Sequence, residues 1–316
     1  MPPPPGEVSP QVTVGEEKRA TMGKKEIFFI VCTALLFSTM EVVLKIAGQE
    51  LDAFQITFIR FAIGGLFLLP FSVRDMKKRA VKLTRGDWLY LLGLGVLCIC
   101  ISMLAFQIGI DHTNANLASV IICSNPVFVM IFAHFIVNEK FTGTKAVVLV
   151  VSILGLIIAA NPLSLAEGNT PFGILSMVIA SVTFGLYATV GKLRIAKIGD
   201  VPQTCLSFLL GSAVMLIPMV MMGKPILSGI GTEHLLVVLY IGVLVTGVGY
   251  YFYFEAIHAC GPSNASIVFF LKPMFAPIIA LLVLHEALTW NIILGIALLL
   301  TGSMINIRSG RKPPQP

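Results

Sequence analysis

The residues that could do chemistry in this chain are charges set in apolar surroundings. The run from Ser266 to Trp290, SIVFFLKPMFAPIIALLVLHEALTW, carries Lys272 directly before Pro273. A bare ammonium in hydrocarbon costs ~3 kcal/mol or far more, so it needs a carboxylate, a carbonyl or a wet cavity. Pro273 strips the Phe269 carbonyl of its helical donor, and Pro277 does the same to the carbonyl of Pro273. Backbone freed at membrane depth is stable only against protein or a water-lined space. Lys272 is therefore read as lining a substrate cavity; a structural salt bridge or carbonyl contact is the alternative. Glu41 and Lys45 are four apart and share a helix face. Glu41, the deeper of the two, either neutralises Lys45 or Arg60, or takes up and releases a coupling proton. Lys45 and Arg60 are assigned to structural charge pairing, and Lys45 also suits snorkelling to an interface.

Weaker candidates surround these. Glu255 follows four aromatics in VGYYFYFEAIHACG. It reads as a headgroup-level carboxylate in an aromatic belt, or as part of a cavity wall near Lys272. Tyr187 and Gln107 are further candidate cavity liners, and His134 suits packing better than function. Glu139 and Glu286 end their apolar runs, where a carboxylate opposes the helix dipole and needs a local partner. No Gly-rich loop closing on Lys-Ser/Thr is present, so ATP is not the direct energy source. No His, Cys and carboxylate set has metal-ligand spacing. No catalytic residue, metal or cofactor is expected, and the chain does not read as an enzyme. The six cysteines suit small packing residues better than a disulfide framework.

These charges must be positioned by membrane helices. Of 316 residues, 56% are hydrophobic and 12% charged, with mean hydropathy +0.91; a soluble domain has about a quarter charged. Spans of ~20 apolar residues begin near Lys25, Ala53, Asp87, Asn116, Thr144, Phe172, Gln203, Glu233, Asn264 and Trp290, ten in all. If the N-terminus is cytosolic, 18 of the 22 Lys and Arg fall on cytosolic segments and only Lys224 falls outside. That asymmetry places both termini in the cytosol. It also removes the nucleic-acid reading of the +6 net charge, because no basic groove interleaves with aromatics. Residues 1–24 and 309–316 read as a disordered cytosolic tail and a short cytosolic tail.

The chain repeats itself. Ala118, Ser119, Pro126, Phe128, Glu139, Thr142 and Gly155 match Ala265, Ser266, Pro273, Phe275, Glu286, Thr289 and Gly302 at one ungapped offset of 147. Gly64 with Gly211, and Gly95 with Gly242, keep the same register, and Asn125 becomes the counterpart of Lys272. Each half holds five spans, an odd number, so the second half enters the membrane from the opposite side. The fold class expected is all-α, ten transmembrane helices as two inverted-topology five-helix repeats. The first is 25–161, the second 172–308, and 162–171 is an extracytoplasmic linker. Inverted repeats suit alternating access in a secondary transporter. A polytopic enzyme or lipid-handling protein would need a convergent catalytic group, and a channel a repeated filter motif.

The segments ANLASVIICSNPVFVMIFAHFIVNEKFTGTKAVVLVVSILGLIIA and NASIVFFLKPMFAPIIALLVLHEALTWNIILGIALLLTGSMI carry the small-residue opening, mid-helix Pro, Glu-x-x-Thr and later Gly. With KIAG and IRFAIGG, they resemble the EamA-type branch of the drug/metabolite transporter superfamily over about residues 25–308. That resemblance implies a central cavity between the halves and export or exchange of a small molecule. The cations Lys45, Arg60 and Lys272 against Glu41 and Glu255 lean toward a carboxylate-bearing or amphipathic metabolite such as an amino acid. The expected partners are that solute and the bilayer of the cell (plasma or inner) membrane. A proton is the candidate coupling ion and a homodimer a candidate assembly.

Overall fold

A computed structural model describes residues 24–138, 142–161, 165–260 and 267–310. Glu139 and the expected helix start near Asn264 lie outside them. Among the described residues there is helix and no strand. Eight helices are long and apolar enough to cross a membrane: α1 (Lys24–Ala47), α2 (Ala53–Lys78), α3 (Arg85–Asp111), α4 (Ala115–Ile136), α5 (Gly143–Ala160), α6 (Pro171–Gly191), α7 (Asp200–Met221) and α8 (Thr232–Ala259). Two more, α9 (Val268–Leu284) and α10 (Trp290–Gly310), hold shorter apolar stretches.

Local chemistry sets the ends. Asp52 caps α2 by accepting from the Phe54 N–H at 2.9 Å. Thr84 and Asp87 form a reciprocal capping box at the start of α3, which satisfies two N–H groups the first turn leaves free. Thr170 caps α6 just before Pro171, a residue preset for a first turn. His285 turns left-handed (φ 56°) and stops α9, so Glu286 stands outside the helix it was expected to end.

Three irregularities bear on the centre. Helix α4 breaks at Cys123 and Ser124, and Asn125 and Pro126 open its second half. The Ser124 hydroxyl donates to the Ile121 carbonyl at 2.6 Å. Helix α9 instead runs on through Pro273 and Pro277, so the two repeat-related prolines do different things. Helices α3 and α8 each widen into a π segment, Val96–Met103 and Tyr240–Val248. Such segments are rare and concentrate at functional sites.

The packing follows the repeat. Helix α1 packs on α8 and α9; its counterpart α6 packs on α3 and α4. Helix α2 packs on α8 and its counterpart α7 on α3, while α2 with α7, and α5 with α10, pair across the halves. The repeated glycines make the closest crossings. A Cβ on Gly95 of α3 would lie 2.4 Å from the Ser207 carbonyl oxygen and 2.7 Å from the Gly211 nitrogen of α7. Gly64 of α2 meets Thr246 and Gly242 of α8 in the matching place. Without a hydrophobic drive in lipid, such small-residue contacts hold helices together by close packing.

Candidate functional site

Where α1 meets α9, the Lys272 ammonium lies 2.6 Å from Glu41 Oε1, with side chains 6% and 0% exposed. Neither charge reaches water, so each offsets the other's desolvation and the pair enters the interior as a neutral unit. Glu41 Oε2 makes no hydrogen bond among the described residues. Cys123, at the break in α4, is within electrostatic reach of both charges. Three irregular or charged helices thus converge: α1, the interrupted α4 and the proline-bearing α9. A cavity of ≈ 10 Å³, about one water, borders the break between Cys123, Ser124, Pro126, Ser152 and Leu299. Asn125, the counterpart of Lys272, is half-buried two residues from Cys123.

Arg60 is 3% exposed on α2. Its guanidinium sits 4.5 Å above the Phe61 ring and donates from Nη2 to Met103 Sδ at 3.4 Å. No carboxylate lies within 4.0 Å of it among the described residues, and its Nε has no partner there. Glu41 and Tyr250 are within its electrostatic reach. Tyr250 stacks edge-on to Phe208 at 5.2 Å and beside Phe37 at 5.3 Å, and Phe208 meets Phe61 at 4.7 Å. The interior is therefore aromatic around a cation left over after the Glu41–Lys272 pair is counted.

The other sequence candidates divide. Glu41 pairs with neither Lys45 nor Arg60. The Lys45 ammonium donates to the carbonyls of Ile110 and Thr113, the electronegative end of α3. Gln107, 1% exposed, donates to the Leu44 carbonyl at 3.3 Å and to Asp111 Oδ1 at 2.9 Å, tying α3 to α1. Tyr187 lies against Phe184, near Ser207 and Thr204. Glu255 is half-buried beside Tyr251, which leaves the cavity-wall reading without a contact to Lys272. His134 is exposed at the end of α4. The partner that Glu286 needed is the start of another helix. The N–H groups of Ala115 and Asn116 donate to its two oxygens at 2.7 and 2.9 Å, so a carboxylate following α9 caps α4.

The EamA-like transporter family model matches residues 24–161 and again 171–308. The chain belongs to the EamA-like transporter family. Glu41 falls in the first EamA match and Lys272 in the second, so the buried pair joins the two. An uncharacterized transporter of Clostridium kluyveri is 39% identical over 295 residues, covering 92% of this chain and 95% of that one. The uncharacterized transporter YoaV of Bacillus subtilis is 26% identical over 289 residues, 89% and 96% of the two chains. An S-adenosylmethionine uptake transporter of Rickettsia conorii is 30% identical over 177 residues, 56% of each chain. A crystal structure aligns with TM-score 0.63 at 16% identity, covering 93% of this chain and 99% of that one, and supports the fold alone. This EamA protein is a multi-pass membrane transporter.

Proposed function

We propose that the chain is a secondary transporter that exports or exchanges a small carboxylate-bearing metabolite of the amino-acid type. It works by alternating access between two inverted five-helix repeats. Helices α9 and α10 complete ten spans, with both termini cytosolic in the cell membrane. The exchange of packing partners between the halves supports a two-fold relation between them, and the odd number of spans in each half is what makes that relation inverted.

The observation that carries the substrate reading is the Glu41–Lys272 pair, 2.6 Å apart and shut from water. A zwitterion can replace it charge for charge. Its carboxylate takes Lys272, assisted by Arg60, and its ammonium takes Glu41. The empty site then satisfies itself, and loading moves no net charge into hydrocarbon. The S-adenosylmethionine named for the Rickettsia relatives ends in such an amino-acid group, which agrees in kind.

Thermal shift of purified protein tests this against amino acids, their deaminated acids, their decarboxylated amines and S-adenosylmethionine. Zwitterions are expected to stabilise the wild type and to lose that effect in Glu41→Gln and in Lys272→Met. Stabilisation by the amines or the acids alone would overturn the reading. With a ligand in hand, Lys272→Ala in proteoliposomes should abolish or sharply weaken uptake. A second reading, proton coupling, follows from the unpartnered Glu41 Oε2. It requires Glu41→Gln to lose flux driven by a pH gradient while keeping exchange.

A further inference from the structure

Two polar ties join the repeats at opposite ends of α2, and the 147-residue register makes them the same tie. At the α2–α3 end, Asp87 is fully buried and held by Lys197 and, at 2.7 Å, by Arg194, both from the α6–α7 connection. Arg79 adds a bond from Nη2 to the Ala196 carbonyl at 2.8 Å. At the α1–α2 end, Glu50 Oε2 lies 2.5 Å from His234 Nε2 at the start of α8. Asp87 and His234 occupy the same position in their repeats, the third residue of helices capped by Thr84 and Gly231. Glu50 and Lys197 are equivalent in the same way. The sign is reversed between the two: the acid caps the helix at one end, the base at the other.

The imidazole at the α1–α2 end is fixed by its surroundings. The Gly231 N–H donates to His234 Nδ1 at 3.1 Å, so Nε2–H donates to Glu50; Glu233 Oε1 is 3.5 Å from Nδ1. A second pair, Lys224 with Asp52 at 2.8 Å, closes the same end. Its counterparts are Lys77 and Gly199, so this tie belongs to one end only. The Asp87, Arg79, Glu50 and Asp52 bonds each cross from one repeat to the other. With both ends tied, the Glu41–Lys272 pair is sealed on both sides.

We infer that the Asp87–Lys197–Arg194 cluster and the Glu50–His234 pair are the two gates of the transport cycle, opened one at a time. The inference rests on the alternating-access reading. A tie that must break and re-form in each cycle has to cross the moving boundary, and these do. The Glu50 side chain is 66% exposed and bonded to a neutral ring, so its tie is the weaker. Asp87, with two cations, is the stronger.

The test uses the native Cys123 beside the buried pair as reporter. Full-length protein in right-side-out and inside-out membrane vesicles is treated with a membrane-impermeant maleimide, and Cys123 labelling is read by peptide mass spectrometry. Glu50→Ala, which leaves His234 Nε2–H no side-chain acceptor at position 50, is expected to speed labelling about two- to five-fold, only from the face carrying Glu50. The double variant Lys197→Gln, Arg194→Gln, at positions 49% and 40% exposed, is expected to speed it about tenfold from the other face only. Asp87 still accepts from the Thr84 N–H and hydroxyl, and circular dichroism of the purified double variant checks that it is folded before labelling is compared. Unchanged rates in both variants, or no labelling of Cys123 in any, would overturn the gate assignment. Either variant admitting reagent from both faces at once would overturn alternating access itself.

Discussion

At the scale of single residues, the buried charges are worth more together than apart. Glu41→Gln leaves the Lys272 ammonium without a counter-charge, a loss of about 3–5 kcal/mol for one buried partner. Glu41→Gln combined with Lys272→Met removes both charges and should recover most of that stability. Thermal unfolding of the two singles and the double, run as a cycle, checks the difference; a loss in the double equal to the sum of the two single losses would show that the pair carries no interaction energy. Glu286 makes a second residue-scale case. Glu286→Ala removes the cap from α4 and should cost about 1–2 kcal/mol. Hydrogen exchange at the Ala115 and Asn116 amides should rise with it, while amides in α7 stay protected. Both partners were beyond reach of the sequence for one reason. Spacing within a helix shows which side chains share a face, and Glu41 with Lys45 was read that way. The contact that forms, Glu41 with Lys272, depends on which helix lies opposite.

Helices were the more legible level. The apolar runs placed the starts of α1 to α8 and of α10 close to where the structure has them, because twenty apolar residues have few other places to go in a bilayer. The prolines were legible as irregularities but not in kind. Pro126 follows a break that Ser124 stabilises, whereas Pro273 sits in a helix that α1 supports along its length. The π segments left no signal in composition at all. The small residues did, and they give a prediction for the α3–α7 crossing. Gly95→Ala forces a methyl into the Ser207 carbonyl and the Gly211 backbone, contacts that cannot yield like a flexible side chain. About 1–3 kcal/mol of overpacking is expected. Gly93→Ala, with open space at its Cβ, should be neutral in the same unfolding assay.

For the whole molecule, the electrical consequence of the proposed site is the sharpest. If a zwitterion replaces the Glu41–Lys272 pair, the interior charge is the same loaded and empty. Flux of such a solute into proteoliposomes should then be insensitive to an imposed potassium diffusion potential. A potential-dependent rate would mean that a proton or another ion crosses with it. The repeat that organises this was visible in the residues themselves, since Ser, Pro, Glu and Gly recur at one offset through apolar sequence. What the offset could not convey was that its members touch across the halves, Gly95 against Gly211 and Gly64 against Gly242. The paired π segments carry a consequence of another sort. A π turn is one residue more than an α-helix needs, yet the 147-residue register runs without a gap from Gly64 to Ser119, across the one in α3, and correspondingly across α8. The extra residue is therefore common to the two halves and sits within one shared register.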